Sequence, residues 1–375
     1  MKQKSYDLAV VGAGIVGLAH ALAAVKRGKK VLVIDRDSVA NGASIRNFGF
    51  VTVTGQQTGD CWQKASRSRQ VWAEVAKAAH IPILHQGLTM TARLPESEAV
   101  IDAFLKTGMG ADCRRLTSNE AVLKVPALRK DAISCALYSP FEVRVESRDA
   151  LPQIANWLED VHEVDFLWQT SVNAVETSKL ETSRGTVHAE TVIVCPGDDG
   201  TTLFSDRIAG YEVTRCKLQM LRVSPHKRMR LGTAVMSDLG LARYLGYAEL
   251  PEADALKARL DREMTAHREN GIHLIAVQSE DGSLVVGDSH HYDPTPDPFI
   301  DKDVNDLILG EMDAVLDLGA YDISETWIGT YASAPDRWRL TDAPDDATRI
   351  VMVTAGCGAS TAFAIGEETI ADLYA

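Results

Sequence analysis

The stretch "YDLAVVGAGIVGLAHALAAVKRGKKVLVIDRD", residues 6–37, decides the fold of this chain. Its apolar residues 6–11 predict a buried strand, and the glycines that follow predict a tight turn. Residues 14–26 predict a helix, with Gly28 placed to end it. The short apolar run at residues 30–34 predicts a second buried strand. Strand, glycine turn, helix and strand in this order predict a βαβ unit with parallel strands.

The turn carries a G-x-G-x-x-G motif made by Gly12, Gly14 and Gly17. The first glycine permits the tight turn, the second lets the backbone approach a pyrophosphate, and the third allows close packing of helix on strand. The helix N-terminus favours a bound anion. Asp35 ends the second strand, where an acid accepts hydrogen bonds from a ribose. The motif with this context predicts dinucleotide binding.

The motif alone does not distinguish FAD from NAD. A second G-x-G-x-x-G, typical of flavin enzymes that NAD(P)H reduces, does not occur in the sequence. A late glycine turn with Gly356 and Gly358 precedes a predicted helix over about residues 359–374. Such a helix N-terminus suits the electron-rich pyrimidine edge of a reduced flavin, whereas an NAD dehydrogenase has no evident need of it. This second turn favours FAD.

Composition limits the partners of the chain. Its 375 residues carry a formal net charge of −13, which argues against nucleic acid or an anionic membrane surface as the partner. The six cysteines are scattered without metal-ligand spacing, so we expect reduced thiols, no metal and a cytoplasmic protein. The apolar N-terminal run resembles a signal peptide, but we assign it to the βαβ unit because the glycine motif lies within it.

The order of the predicted elements indicates an α/β chain, α+β overall, with two interleaved domains. Rossmann-like elements predict one domain from residues 1–80, 145–204 and 336–375. The other, from residues 81–144 and 205–335, is predicted as an antiparallel sheet because its segments alternate or are rich in β-formers. These β-rich segments include "YEVTRCKLQMLRVS", "GLARYLGY", "GSLVVGDSHHY" and "ISETWIGTYAS".

Four stretches together resemble the D-amino-acid-oxidase-like superfamily of FAD-dependent oxidoreductases, which includes glycine oxidase and sarcosine oxidase. They are "VVGAGIVGLAHALA", "GASIRNFG", "AETVIVCPG" and "TAGCGASTAFAIGEETIADL", and the resemblance extends over nearly the whole chain. It implies an enzyme in which FAD lies extended through the Rossmann-like domain. The flavin ring would then meet the antiparallel substrate domain.

The stretches "SIRNFG", "ARYLGY", "GIHLIAVQSEDGSLVVGDSHHY" and "DPF" are also similar to a bacterial subgroup associated with aminophosphonate catabolism. This similarity implies oxidation of 2-aminoethylphosphonate or its N-methyl derivative by hydride transfer to flavin N5. Hydrolysis of the imine would give an aldehyde or keto product and ammonia or an amine, and O₂ as acceptor would reoxidise the flavin and form H₂O₂. The alternatives are an amino-acid dehydrogenase with another electron acceptor, an oxidase of glycine, sarcosine or D-amino acids, and a non-catalytic FAD-binding protein.

The resemblance assigns cofactor roles to residues that match the superfamily's motifs at the pyrophosphate turn, the ribose acid, the flavin-bordering loop, a strand end and the pyrimidine end. These residues are Gly12, Gly14, Gly17, Asp35, Arg36, Ser44, Asn47, Phe48, Gly49, Pro196, Gly197, Gly356, Gly358, Ala359, Ser360 and Thr361. Two positions depart from sarcosine oxidase. Gly329 replaces the cysteine bonded to the flavin, so we expect non-covalent FAD. Val285 replaces the lysine that promotes the reaction with oxygen; glycine oxidase lacks that lysine, so oxidase activity remains the expectation.

The substrate is predicted to be a small amine that also carries an anionic group, which a basic side chain would bind. Arg46 is the first candidate, because a guanidinium group pairs with carboxylate or phosphonate oxygens; the alternative is a loop arginine that pairs with a carboxylate or faces water. Arg243 is a second candidate, with a solvated strand position as the alternative. Tyr244 and Tyr331 suit either the pocket or the core.

His290 and His291 are adjacent, so strand alternation predicts that they point to opposite faces. If Val285 faces the flavin, His291 shares its side, unless a bulge intervenes. His273 on the neighbouring strand is a weaker candidate. No catalytic base is assigned, because a neutral amine held against the flavin needs chiefly orientation.

Overall fold

The computed structural model of the protein describes residues 5–375 and contains two β-sheets with helices around them. Its strands are β1 (Ser5–Val11), β2 (Val31–Ile34), β3 (Phe50–Val51), β4 (His85–Ala92), β5 (Arg114–Thr117), β6 (Cys135–Arg144), β7 (Asp165–Leu167), β8 (Val172–Glu176), β9 (Lys179–Thr182), β10 (Gly185–Val194), β11 (Thr214–Pro225), β12 (Ala234–Met236), β13 (Ile275–Gln278), β14 (Leu284–Gly287), β15 (His291–Asp293), β16 (Tyr321–Ser333), β17 (Arg339–Asp345) and β18 (Thr348–Val353).

The helices follow the same chain order. They are α1 (Ile15–Val25), α2 (Asp60–Ala78), α3 (Pro95–Phe104), α4 (Ser118–Lys124), α5 (Ser147–His162), α6 (Ser205–Ala209), α7 (Leu245–Ala248), α8 (Ala253–Glu263), α9 (Thr265–Glu269), α10 (Lys302–Val315) and α11 (Gly358–Leu373), with short 3-10 turns at Gly108–Gly110, Lys130–Ala132 and Asp238–Ala242. Within residues 5–375, no helix has both the length and the apolar character needed to cross a membrane.

The first sheet has the strand order β17-β18-β10-β1-β2-β7, with β9 paired to β10 and β8 to β9. Strand β1 lies at its centre and runs parallel to both β2 and β10, as the βαβ prediction requires. At the end of β1, Val11 pairs with Ile34 on one side and with Val194 on the other. The carboxyl ends of three parallel strands therefore meet at the glycine turn, the edge where α/β sheets bind ligands.

Helices α1 and α11 pack on this sheet through small residues. A Cβ atom on Gly17 would lie 1.8 Å from the carbonyl oxygen of Gly12, so only glycine lets α1 leave the turn this closely. A Cβ atom on Gly366 would lie 2.8 Å from backbone atoms of Ala19, which fixes a close approach of α11 to α1. The C-terminal helix is thereby held beside the first helix of the chain, and both N-termini lie near the same edge of the sheet.

The second sheet has the order β15-β11-β14-β13-β12-β4-β6-β3, with β16 also paired to β11 and β5 to β6. The predicted antiparallel arrangement is confirmed for most neighbours, but β12 and β4 run parallel. The longest pairing joins β11 to β16 from Thr214↔Ser333 to Pro225↔Tyr321. The predicted capping box at Thr117 and Glu120 is confirmed at the start of α4.

Two predicted strands differ from the structure. "GLARYLGY" forms the 3-10 turn Asp238–Ala242 and the short helix α7, not a strand. A close contact with residues 55 and 56 holds this segment. The N–H of Gly246 donates to the carbonyl oxygen of Gly55 at 3.0 Å, and a Cβ atom on Gly246 would lie 2.5 Å from the carbonyl oxygen of Gln56. The strand predicted across "SLVVGDSHH" ends at Gly287, and β15 begins only at His291.

Candidate active site

A cavity of about 430 Å³ extends from the glycine turn of the first sheet to the second sheet. We call it the central cavity. Its walls come from the turn before α1, the loop that follows β2, the end of β16, the turn before α11, and the segments around Arg243 and Asp288. The cavity thus brings together chain segments that are far apart in the sequence, including most of the stretches singled out above.

The glycine turn at one end has the shape that a pyrophosphate needs. Gly12 has φ +104°, and a Cβ atom there would lie 2.4 Å from the carbonyl oxygen of Cys195. Gly14 and Gly17 line the cavity, so the N-terminus of α1 opens into it. The carboxylate of Asp35 accepts hydrogen bonds from the N–H groups of Ala13 at 2.6 Å and Asp37 at 2.9 Å. The turn and the acid are therefore joined at the position where a dinucleotide would lie.

The loop of residues 42–50 is held by its own polar side chains. Asn47 donates to the carbonyl oxygen of Ala43 at 2.6 Å and accepts from the N–H of Gly49 at 2.6 Å. The hydroxyl of Ser44 accepts from the N–H of Ile15 at 3.0 Å, which ties this loop to the start of α1. Ser44, Asn47 and Phe48 line the central cavity. Gly49 has φ +60° and lies behind the loop, against the carbonyl oxygen of Val145.

The turn before α11 lies beside this loop. Gly356 has φ +66°, and a Cβ atom there would approach the ring of Tyr331 to 3.1 Å. Gly358, Ala359 and Ser360 line the cavity at the N-terminus of α11, a helix of 16 residues. A helix N-terminus with free N–H groups favours negative charge in the adjoining part of the cavity. Thr361 is buried one residue further, where it donates to the carbonyl oxygen of Cys357 at 2.9 Å.

Of the three remaining predicted cofactor residues, one lines the cavity and two do not. Gly197, with φ +67°, lines the cavity at the end of β10, whereas Pro196 and Arg36 are not among the lining residues. Arg36 is exposed and forms an ion pair with Asp199, with an N–O distance of 3.3 Å. Its side chain therefore meets a protein carboxylate in this structure.

Arg46, Arg243, Tyr244 and Tyr331, the candidates for contact with the substrate, all line the central cavity. The guanidinium group of Arg46 has one polar contact, at 3.4 Å, to the side-chain oxygen of Asn41. Arg243 is half-buried and donates to the hydroxyl of Tyr292 at 3.1 Å. Across residues 5–375, neither arginine has a carboxylate within ion-pair distance. Two guanidinium groups are therefore available to an anion in one cavity.

The conditional prediction that His291 faces the cavity together with Val285 is wrong in this structure, because Val285 is buried in the core and His290 lines the cavity instead. The ladder ends at Gly287, so the alternation counted from Val285 does not continue through residues 288–290. The ring of His291 contacts the side-chain oxygen of Asn270 at 3.0 Å and lines a separate groove with Lys217.

Sequence reasoning missed Asp288 and gave little weight to His273. Together with His290 they form what we call the acid–histidine cluster, in which all three residues are buried and line the central cavity. The distance from His273 Nδ1 to Asp288 Oδ1 is 3.4 Å, and that from His290 Nε2 to Asp288 Oδ2 is 3.8 Å. An acid that interrupts the apolar run "SLVVGDSHH" was the available signal in the sequence.

The donor atoms of the cluster lie within 4.8 Å of one another, and a carboxylate with two imidazoles is also a ligand set for divalent cations. The positive charge of Arg243 acts on all three groups, which disfavours a cation among them. The cluster therefore fits a proton better than a metal ion.

Comparison with known proteins agrees with the two-sheet architecture. Residues 7–373 match the DAO family, described as FAD dependent oxidoreductase. Glycine oxidase of Geobacillus kaustophilus (strain HTA426) is 25% identical over 212 residues, which are 51% of this chain and 54% of that protein. The match therefore spans about half the length of this relative.

Solved structures share the fold at low identity. Glycine oxidase from Bacillus cereus ATCC 14579 has a TM-score of 0.79 at 18% identity, over 98% of this chain and 95% of that one. L-proline dehydrogenase from P. horikoshii has a TM-score of 0.79 at 19% identity, over 99% and 93%. L-alpha-glycerophosphate oxidase from Mycoplasma pneumoniae, solved with FAD bound, has a TM-score of 0.73 at 15% identity, over 100% and 96%.

Proposed function

This chain belongs to the DAO family of FAD-dependent oxidoreductases, and we propose that it oxidises a small amine that carries an anionic group. The preferred candidates are 2-aminoethylphosphonate and its N-methyl derivative. When bound, FAD would supply the redox chemistry, as acceptor of the hydride from the C–H bond of the carbon that bears the nitrogen. The resulting imine adds water and gives a carbonyl product with ammonia or methylamine. The protein has to bind the cofactor, orient the amine and receive protons.

The chain offers a continuous set of contacts for FAD. The turn of Gly12, Gly14 and Gly17 would hold the pyrophosphate, and Asp35 would accept hydrogen bonds from the adenosine ribose. Ser44, Asn47 and Phe48 would border the flavin ring, and the N-terminus of α11 would meet its pyrimidine end. We assign residues 1–80, 145–204 and 336–375 to this cofactor-binding unit, and residues 81–144 and 205–335 to the substrate-binding unit.

Non-covalent attachment of FAD is supported by Gly329. This glycine replaces the flavin-linked cysteine of sarcosine oxidase, and a Cβ atom on it would lie 2.8 Å from the carbonyl oxygen of Arg46. A longer side chain at this position has to displace the loop that carries Arg46. The contact therefore favours glycine here for steric reasons as well.

The observation that carries the substrate class is the pair Arg46 and Arg243 in one cavity, both without a carboxylate partner in the described part of the chain. The pKa of Arg243 is lowered by burial, but the nearby hydroxyls of Tyr292 and Tyr331 and the carboxyl of Asp288 outweigh this and raise it. Arg243 is therefore charged in the cavity and can pair with phosphonate or carboxylate oxygens.

The electron acceptor is open to two proposals. O₂ is the preferred acceptor, as in the oxidases of the family. Val285, at the position compared with the oxygen-activating lysine of sarcosine oxidase, is 1% exposed and lies in the core, so it offers no group for this reaction. A dehydrogenase that passes electrons to another acceptor is the second candidate, and peroxide formation separates the two.

Anaerobic reduction of the purified yellow enzyme tests this function. We expect 2-aminoethylphosphonate or its N-methyl derivative to bleach the flavin absorbance faster than glycine, sarcosine or D-alanine at equal concentration. Propylamine, which is similar in size but uncharged at the other end, is the matched control and should bleach it slowly. If none of the amines reduces the flavin, amine oxidation is excluded. If glycine or D-alanine reacts fastest, the phosphonate assignment is wrong.

A further inference from the structure

The carboxyl group of Asp288 has an unusual environment for an acid. Its residue is 4% exposed and lines the central cavity. Its Oδ1 atom has no hydrogen-bond partner, and neither ring nitrogen of His273 has one. The backbones of Asp288 and His273 are joined by two hydrogen bonds, of 3.1 and 3.3 Å, so the position of the acid is fixed by the sheet. Buried polar atoms rarely lack a hydrogen-bond partner, and in a cavity a ligand group can supply the missing hydrogen bond.

The protonated and ionised forms of Asp288 are close in free energy near neutral pH. Burial raises the pKa of Asp288 from 3.8 to about 8, although Arg243 acts in the opposite direction. A carboxyl group with a pKa near the working pH can both accept and return a proton at low cost. Few positions in a protein give a carboxyl group this property, and those in cavities are commonly functional.

The other titratable groups near Asp288 do not compete for the proton. Burial and the charge of Arg243 lower the pKa of both His273 and His290 well below the ordinary value, so these imidazoles are neutral. Burial raises the pKa of Tyr244, and it raises the pKa of Cys216 to about 11, so both also remain neutral near pH 8. The groups that face the carboxyl from the surrounding elements are thus Arg243, Tyr244, Cys216, His273 and His290.

The histidine rings instead position the acid and its proton. His290 Nδ1 lies 2.9 Å from the carbonyl oxygen of Gly271, an acceptor that fixes the proton on Nδ1 and leaves Nε2 as the acceptor facing Asp288. The rings of His273 and His290 lie 5.1 Å apart, and their nitrogens lie 3.4 and 3.8 Å from the two carboxyl oxygens of Asp288. They act as positioning residues in this arrangement.

We propose that Asp288 is a catalytic residue that binds the substrate's ammonium group and receives its proton, which produces the neutral amine that FAD can oxidise. This inference rests on the proposed amine oxidation and adds the group that starts it. An N–H bond of R–NH₃⁺ breaks, an O–H bond forms on the carboxylate, and the products are R–NH₂ and the carboxylic acid. No electrons leave the substrate in this step, so no further reactant is required. Arg243 would hold the anionic end nearby.

The pH dependence of flavin reduction tests the assignment. In the wild type, the anaerobic rate constant divided by the dissociation constant should rise with pH through a value near 8, because free Asp288 must be ionised. In Asp288→Asn the rise should move to the pKa of the amine itself, about 10. At pH 7 the variant should be slower by about 100-fold. The control Asp293→Asn changes an exposed acid that does not line the central cavity and should leave the profile unchanged.

A second measurement needs no oxidation. The analogue 2-amino-2-methylpropylphosphonate lacks hydrogen on the carbon that bears the nitrogen, so it can bind but cannot reduce the flavin. Titration calorimetry in buffers of different ionisation enthalpy counts protons released on binding. The wild type should release about one proton at pH 7 and markedly fewer at pH 9, because Asp288 is mostly protonated only at the lower pH. Asp288→Asn should release the same number of protons on binding at both pH values.

The outcomes separate this inference from the proposed function. If no amine reduces the wild-type flavin, the proposed function fails first. If amines reduce it and Asp288→Asn keeps the wild-type profile, only the role of Asp288 is overturned. Should Asp288→Asn lose FAD, the wild-type proton count decides alone, and an equal count at pH 7 and 9 rejects the proposal. A stoichiometric divalent cation in the wild type that is absent from the variant would also reject it.

Discussion

Asp288 and His273 are bound to each other through both backbone groups: the N–H of Asp288 donates to the carbonyl oxygen of His273 at 3.1 Å, and the reverse bond is 3.3 Å. This pairing extends the contact of β13 and β14 beyond the start of β13 and the end of β14. Because of this pairing, a carboxyl group and an imidazole line the same cavity, although 15 positions separate the two residues in the sequence.

The buried carboxyl group predicts a pH-dependent stability difference. Because the pKa of Asp288 is raised from 3.8 to about 8, the folded protein holds its proton more tightly, and wild-type stability falls as pH rises between these values. Each pKa unit corresponds to about 1.4 kcal/mol. Asp288→Asn removes this loss, so its unfolding free energy relative to wild type should increase from pH 5 to pH 9. Urea unfolding at both pH values measures it; a constant difference would contradict the raised pKa.

Gly12→Ala should abolish FAD binding. The new Cβ atom would lie 2.4 Å from the carbonyl oxygen of Cys195, and the φ of +104° adds about 1–3 kcal/mol of strain. We expect colourless protein with a lower urea midpoint. Gly42→Ala is the matched control, because Gly42 has no positive φ and no atom lies within 4 Å of its Cβ position. Full flavin content in Gly12→Ala would show that this turn does not shape the cofactor site.

Arg46→Ala should raise KM for the anionic amine while FAD remains bound. A hydrogen bond to a charged group contributes about 1.5–3 kcal/mol, which is an increase of about 10- to 100-fold. Steady-state kinetics and the flavin-to-protein absorbance ratio measure both quantities. Arg262→Ala, which changes an arginine whose side chain is 68% exposed, is the control. A fall in flavin content would assign Arg46 to the cofactor instead.

Arg243→Ala should weaken the binding of the substrate's anionic end and also shift the pH profile to higher pH. Removal of this positive charge takes away the larger of the two effects that oppose burial, so the pKa of Asp288 should rise further. At a pH above the raised pKa of Asp288, where this acid is ionised in both proteins, we expect about a 100-fold loss in kcat/KM for the phosphonate and little loss for propylamine. Tyr292→Phe removes only the hydroxyl contact at 3.1 Å and should have a smaller effect. Equal losses for charged and uncharged amines would argue against anion recognition.

Acid precipitation should release the flavin into a yellow supernatant, because position 329 carries no thiol and has no room for one beside the carbonyl oxygen of Arg46. The absorbance spectrum of the supernatant gives the yield. Cys61, Cys195 and Cys357 also line the central cavity, so a yellow pellet would indicate a bond from one of these thiols and would contradict non-covalent binding.

Local patterns predicted the parts of the fold that depend on near neighbours. The βαβ unit around Gly12, the helices α2 and α10, and the capping box of α4 all follow from short-range periodicity and capping. The segment around Arg243 was predicted as a strand and is helical, since its backbone is held by Gly55 and Gln56, almost 200 residues earlier in the chain.

The glycine turn of the first sheet could be predicted from the sequence alone. A glycine turn between a strand and a helix fixes its own backbone, and its anion site is made of its own N–H groups. The set of side chains that line the central cavity beyond this turn depends on the tertiary structure. His290 rather than His291 lines the cavity because the β14 ladder ends at Gly287. Asp288 becomes a proton acceptor because distant elements bury it and bring Arg243 and His273 to it, since desolvation and charge contacts exist only after the chain has folded.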